Sequence, residues 1–182
     1  MIKEVWEFLK RPRYEPFLPM QRADKIRYFI HLLAMALAFS FFFGIFGTLI
    51  AEHMGLVTNE HAMEKFLENS SASTLFVFVV ILAPALEELI FRAPLALFKK
   101  VSYFPLIFYL SVLLFGAVHL LNFEYEVGFY GLAIFLILPQ LSAGVFLGFI
   151  RVKMGLGWAI LLHAFHNFML LSPFLLLKLS TS

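Results

Sequence analysis

Long apolar stretches separated by short polar segments form the dominant pattern along this chain. A helix needs about 20 mostly apolar residues to cross the hydrocarbon core of a bilayer, and five stretches come close to that length. These predicted spans are Tyr28–Ala51, Thr74–Phe98, Pro105–Leu121, Phe129–Ile150 and Leu156–Leu177. The pattern therefore predicts an all-α fold, a polytopic transmembrane helix bundle that occupies residues 28–182.

The residues before the first span have a different pattern. In residues 1–27, apolar side chains such as Trp6 and Phe8 are interspersed with basic ones at a spacing that suits a short helix in the headgroup region. We predict a cytoplasmic or interfacial basic arm. The sequence leaves open whether this arm is such a helix or a solvated tail.

Composition supports the membrane assignment. Of the 182 residues, 62% are apolar, 14% are charged and 24 are phenylalanine, which is far from the composition of a soluble domain. The chain has no cysteine, which excludes disulfides and thiolate chemistry.

Basic residues are distributed unevenly between the two ends of the predicted spans. Thirteen basic residues lie outside the spans. Seven are in the arm and four are Lys99, Lys100, Arg151 and Lys153, whereas only Lys65 and Lys178 lie at the opposite end. Because cytoplasmic segments collect positive charge, we predict a cytoplasmic N-terminus and an outward C-terminus. The compact chain favours a multi-pass protein of a bacterial inner or plasma membrane, with lipid as partner. The net charge of +2 is explained by basic residues that set the membrane topology, so it does not indicate nucleic-acid binding.

Three charged residues interrupt the second span in the segment EELIFR, namely Glu87, Glu88 and Arg92. Each ionised group at the bilayer centre costs roughly 2.5 to 3.5 kcal/mol, so these side chains need partners or a function. Glu88 and Arg92 are one helical turn apart and are predicted to pair, while Glu87 points about 100° away round the helix axis. An ion cluster that only locks helices together is the structural alternative.

Further polar side chains occur in the third and fifth spans. His119 ends the segment FGAVH, and His163 and Asn167 share one helix face in HAFHN. At about 1.5 Å of rise per residue, these groups and Glu87 lie about 10 to 21 Å from the cytoplasmic ends of their helices. Helix tilt could close the remaining differences in depth, so a shared site inside the bundle is allowed.

Two features of the fourth span concern packing. Gly144 and Gly148 lie on one helix face, where missing side chains favour the close approach of another helix. Pro139 and Gln140 are predicted to mark a kink with a polar partner.

The three polar motifs, in this order on successive apolar helices, resemble the CPBP family of intramembrane proteases. This family comprises type II CAAX prenyl proteases and bacteriocin-processing proteins, and its motifs read EExxxR, FxxxH and HxxxN. The resemblance runs from about Pro84 to Asn167. Ala93 stands where members often have glycine, and the five spans are fewer than the seven or eight of longer members.

The resemblance implies a membrane-embedded endopeptidase that acts on a peptide or a membrane-anchored protein. Peptide hydrolysis needs an activated water, a general base and donors for the developing oxyanion. By resemblance, Glu87 is the base and His119 holds the water, while His163 and Asn167 face the scissile carbonyl. Glu88 and Arg92 would then keep the motif helix oriented.

A zinc mechanism is the main chemical alternative, with Glu87, His119 and His163 as ligands. The helical zinc signature HExxH is absent, and His163 and His166 are three residues apart rather than four. We therefore favour hydrolysis without a cofactor and interpret His166 as a packing residue or a support for its neighbours.

Two other functions stay open. A non-proteolytic protein that binds peptides or confers bacteriocin immunity would use the same fold, although the complete set of catalytic residue types argues against it. A proton-coupled carrier could also use Glu, His and Arg, but the chain lacks the repeated halves common in transporters.

Overall fold

The computed structural model describes residues 1–54, 62–123 and 133–181, and within these ranges all regular structure is helical. Five helices are long and apolar enough to cross a membrane. They are Arg22–His53, Ala72–Ala96, Phe104–Asn122, Ile134–Met154 and Leu156–Ser180, and we call them the first to fifth spans. The predicted all-α bundle of five spans is confirmed, and the protein is an integral, multi-pass membrane protein. The predicted start of the fourth span at Phe129 lies outside the described residues.

In the described part of the chain, two shorter helices lie outside the spans. Of the two alternatives left open for the arm, the structure shows a helix, Ile2–Lys10, and a further helix, Ala62–Asn69, lies between the first and second spans. The helix of the first span begins at Arg22, inside the stretch assigned to the arm.

The arm packs on the bundle instead of extending into solvent. Val5 and Phe8 are buried, and the ring of Phe8 lies 5.0 Å from that of Phe108 and 5.2 Å from that of Phe149. Trp6 on the opposite side of the helix is 56% exposed. One apolar strip of this helix therefore contacts protein, while Trp6 stays free to contact the membrane interface.

The second span changes its helical geometry along its length. An α-helical turn at Ala72–Leu75 leads into a π-helix at Phe76–Leu82, a second α-helical turn and a second π-helix at Glu88–Arg92, and a 3₁₀ turn at Ala93–Ala96 ends it. In the two π-helices, the amide of Ala83 bonds to Phe78 O and that of Ala93 to Glu88 O, each five residues back. π-Helices of this kind often occur at functional sites.

The fourth span lies at the centre of the bundle. In its most apolar stretch of 18 residues, 50% of the residues are buried, whereas 22 to 33% are buried in the corresponding stretches of the other spans. A methyl group placed on Gly148 would come within 2.6 Å of the Phe108 ring, and one on Gly144 within 3.2 Å of Arg92 Nη2. The predicted close approach at these glycines is confirmed.

Pro139 lies next to a change of helical geometry in the fourth span. It lies in the first turn of the helix Leu138–Met154, after a 3₁₀ turn at Ala133–Ile137. The first turn does not use its amide hydrogens within the helix, so proline is tolerated there and begins the helix.

Candidate active site

The ion pair predicted within the second span is present and sealed from solvent. Arg92 Nη1 lies 3.7 Å from Glu88 Oε1, and both side chains are 0% exposed. The guanidinium carbon lies 3.8 Å from the centre of the Phe115 ring. Among the described residues, none of the three guanidinium nitrogens makes a hydrogen bond. The Arg92 charge is therefore compensated by Glu88 and by the aromatic face.

His163 of the fifth span lies between the two glutamates. Its Nδ1 is 3.1 Å from Glu88 Oε1, and its Nε2 is 3.6 Å from Glu87 Oε2. An ionised carboxylate can only accept, so Nδ1 carries the proton of the shorter contact. The Glu87 side chain is 26% exposed, whereas Glu88 is fully buried. Adjacent carboxylates thus occupy different environments, as their angular separation on the helix requires.

His119 ends the α-helical part of the third span, where a 3₁₀ turn begins. Its Nδ1 donates to the carbonyl of Phe115 at 2.8 Å, because a carbonyl oxygen can only accept. In the neutral ring this leaves Nε2 as an acceptor for a water proton. Its ring and that of His163 both lie against the Phe115 ring, so the third span brings His119 to the same cluster.

Phe115 connects the parts of the site. Its ring lies against Arg92 on one side, 4.9 Å from the His119 ring and 5.6 Å from the His163 ring, and it is 1% exposed. The phenylalanine of the FxxxH motif is therefore a buried platform that fixes the positions of a cation and two imidazoles.

Asn167 donates a hydrogen bond to a backbone carbonyl of the second span that lacks its usual donor because of a proline. Its Nδ2 donates to Val79 O at 3.0 Å. In the π-helix, the expected donor to Val79 O is the amide of Pro84, which has no hydrogen, and the amide of Ala83 is already bonded to Phe78 O. Asn167 satisfies this carbonyl with one of its two amide hydrogens.

Side chains of the third and fourth spans also donate hydrogen bonds to backbone carbonyls at the end of the π-helix Glu88–Arg92. Ser111 Oγ donates to Phe91 O at 2.7 Å, and Arg151 Nε donates to Arg92 O at 3.0 Å. Arg151 was predicted to lie in a connection, but it is 7% exposed within the fourth span, and this interpretation was wrong. Its position seven residues after Gly144, on the closely packed face, was the available signal.

A cavity of about 450 Å³ lies beside this cluster. It is lined by His119, His163 and Asn167 together with apolar side chains. Glu87 does not line it, and its Oε2 lies 3.6 Å from Nε2 of the lining residue His163. Ser40 of the first span and His166 also line it, and Ser40 Oγ is 3.0 Å from His166 Nε2. Sequence reasoning missed Ser40, since a single serine among phenylalanines carries no motif.

The structure thus brings all six predicted site residues into one cluster. Glu88 and Arg92 lie in its sealed part, and His119, His163 and Asn167 face the cavity. Among the described residues, no group of three or more His, Asp or Glu side chains has an arrangement that could hold a metal ion. Within the alternative zinc set of Glu87, His119 and His163, the Glu87 Oε2 and His163 Nε2 atoms lie 3.6 Å apart.

Comparison with protein families identifies the chain. The family model for type II CAAX prenyl endopeptidase Rce1-like proteins matches residues 69–169, more than half of the chain and all three polar motifs. The chain therefore belongs to this family, and membership implies a membrane-embedded protease. No curated protein and no solved structure matched the chain.

Proposed function

We propose that this member of the type II CAAX prenyl endopeptidase Rce1-like family cleaves its peptide bond with a water molecule that Glu87 activates, without a metal ion. One observation carries the proposal: of two adjacent carboxylates, Glu87 is accessible and Glu88 is sealed in an ion pair. A general base must reach the water whose proton it takes, so the accessible carboxylate suits that role.

His119 suits the role of holding the water. Its Nδ1 is committed to the Phe115 carbonyl, so the neutral ring offers Nε2 as an acceptor. A water between His119 and Glu87 would lose one proton to Glu87 while its oxygen attacks the substrate carbonyl. The C–O bond forms as the carbonyl π electrons move to oxygen, and Glu87 later returns the proton to the departing amine.

His163 and Asn167 suit the stabilisation of the oxyanion. Both line the cavity, and each is fixed by a bond on its far side, His163 to Glu88 and Asn167 to Val79 O. Donation from His163 to the oxyanion requires a hydrogen on Nε2 in addition to the one on Nδ1. Donors that are fixed before the reaction contribute most to catalysis, because they do not reorganise as charge develops.

The experiment compares Glu87→Gln with the unchanged protein in cleavage of N-palmitoylated peptides, before and after treatment with a chelator. The amide keeps the shape of Glu87 but cannot accept a proton, so we expect a loss of activity of about 10²- to 10⁴-fold with unchanged folding. We expect His119→Ala to be similarly damaging, and activity to survive metal removal.

Two results would contradict this mechanism. Cleavage that disappears with the chelator and returns with zinc would favour the metal-dependent alternative, since zinc would then supply the activated water. Binding of peptides without any cleavage would favour a non-proteolytic peptide-binding protein.

The substrate class and orientation are part of the proposal. A cavity among transmembrane helices suits a peptide or protein that is anchored in the membrane, and the distribution of basic residues suits a cytoplasmic N-terminus in a bacterial plasma membrane. Because the chain has no cysteine, single cysteines at positions 65 and 99 can be labelled cleanly from either side of the membrane. Labelling of both from the same side would contradict this orientation.

A further inference from the structure

The cavity wall next to the first span contains a polar pair that the proposed reaction does not use. Ser40 and His166 are joined at 3.0 Å, and their side chains are 5% and 7% exposed. His166 lies on the same helix turn as His163 and Asn167, whereas Ser40 lies outside the residues that match the family. The first span therefore adds a hydroxyl group to a site that the other spans build.

Ser40 lies where two cavities meet. The cavity beside His163 and a second one of about 420 Å³ along the first span share Ser40, Pro139 and Leu170 as lining residues. The second cavity is otherwise mostly apolar, and Ile45, one of its lining residues, is 63% exposed on the outer side of the bundle. An extended chain that passes from this outer groove into the first cavity must pass Ser40.

The hydrogen bonds around Ser40 allow its proton to be redirected. Within the described residues its oxygen has two neighbours, His166 Nε2 at 3.0 Å and Pro139 O at a long 3.5 Å. Pro139 O also accepts from Ser142 Oγ at 2.8 Å. If His166 Nε2 donates to Ser40, the serine proton can leave Pro139 O for a better acceptor, and the Pro139 carbonyl stays satisfied.

We propose that Ser40 is a substrate-binding residue that donates a hydrogen bond to a main-chain carbonyl of the peptide as it enters the cavity. His166 is the positioning residue that donates to Ser40 from behind. A main-chain carbonyl is the acceptor that every peptide presents whatever its side chains, so this contact holds the chain and leaves selectivity to the apolar walls. This inference rests on the proposed function, because it names how the same site holds its substrate.

The test combines enzyme variants with changes to the peptide. A library of N-palmitoylated peptides is screened for cleavage, and in the best peptide each carbonyl outside the scissile bond is replaced in turn by a thioamide, which is a poorer acceptor. We expect one thioamide position to lower kcat/KM of the unchanged protein about tenfold, the effect of one lost hydrogen bond. Ser40→Ala should lower kcat/KM for the parent peptide by a similar factor and remove the extra penalty of that thioamide.

Matched variants separate binding from a structural role. Ser40→Thr keeps the hydroxyl group and should keep the thioamide penalty. His166→Ala should weaken the parent reaction and reduce the thioamide penalty, since the histidine positions the serine. If Ser40 only joins two helices, Ser40→Ala will lower the melting temperature and leave the thioamide penalty unchanged. That result would overturn the inference.

Failure of this inference and failure of the proposed function give different results. If the unchanged protein cleaves peptides but no thioamide position depends on Ser40, the carbonyl contact is wrong and the protease assignment stands. If no peptide is cleaved, the affinities of the same thioamide series are measured on the Glu87→Gln variant. A Ser40-dependent position in binding would then support the contact without catalysis, and a series with no such position, or with no binding, would overturn it.

Discussion

The site consists of two halves that differ in their access to water. The closed half contains Glu88, Arg92 and the Phe115 ring, all of them at most 1% exposed. The open half contains Glu87 and His119, which are partly exposed, and His163 lies between the halves. Two adjacent residues of one helix, Glu87 and Glu88, thus belong to different halves, and the proposed function gives them different roles.

The two halves also differ in how strongly their charged groups depend on their partners. Charges in the closed half have lost their hydration, so each depends strongly on its partners, and removing one leaves the other uncompensated. The Glu87 carboxylate in the open half is partly exposed, as a general base must be to reach the group whose proton it takes. Substitutions in the closed half should therefore affect folding first, and those in the open half should affect the rate first.

The largest effect is expected from Arg92→Met, which keeps the length of the side chain but removes its charge. Glu88 then loses the cation that compensates it, and we expect a loss of about 3 to 5 kcal/mol in the free energy of unfolding. Denaturant unfolding in detergent micelles would measure this loss.

The control for this prediction removes both charges. The double variant Glu88→Gln and Arg92→Met should recover part of the stability, because a buried pair that is replaced as a whole leaves no charge uncompensated. A single variant as stable as the unchanged protein would contradict the closed half as described.

The next largest effect is expected from Asn167→Ala in the open half. If Asn167 is the proposed oxyanion donor, its removal should lower kcat by about 10²- to 10³-fold, because the proposed base Glu87 remains in place. Steady-state kinetics and melting temperature are measured together. If Asn167 only satisfies Val79 O, stability will fall by about 1 kcal/mol with little change in rate.

A smaller effect is expected from Gly144→Ala. The added methyl group would lie 3.2 Å from Arg92 Nη2 and 3.2 Å from the Phe115 ring, so it presses on the closed half. Overpacking of this kind costs about 1 to 3 kcal/mol. Gly157→Ala is the matched control, since nothing lies within 4 Å of its added methyl group, and it should be neutral or slightly stabilising. Equal effects of the two substitutions would contradict a tight contact at Gly144.

The smallest effect is expected from Tyr14→Phe in the N-terminal arm. Arg151 donates to Tyr14 Oη at 3.1 Å and to Arg92 O at 3.0 Å, so one arginine joins the arm to the end of the motif helix. Loss of the hydroxyl group should cost about 1 kcal/mol in unfolding and change kcat by no more than a few fold. A loss as large as that of Arg92→Met would mean that the arm organises the closed half directly.

The amino-acid sequence by itself determined the helical bundle and the membership of the main cluster. Apolar runs of spanning length fix the number of helices, because the bilayer requires every backbone polar group to be satisfied within its own segment. The spacing of Glu88 and Arg92 fixed their pairing, and the pattern of Gly144 and Gly148 fixed a close helix contact, since both depend on helix geometry alone.

Only the tertiary structure decided how these groups divide between closed and open halves. Three contacts join residues from different helices: His163 with Glu88, Asn167 with Val79 O and Ser40 with His166. The partners are separated by 75, 88 and 126 positions in the sequence. Such contacts depend on how each helix is rotated about its axis and how deep it lies in the bundle. The spacing of residues within one helix does not specify either quantity. Pro84 predicts that a carbonyl will lack its donor, but only the packing of the fifth span determines which side chain supplies one.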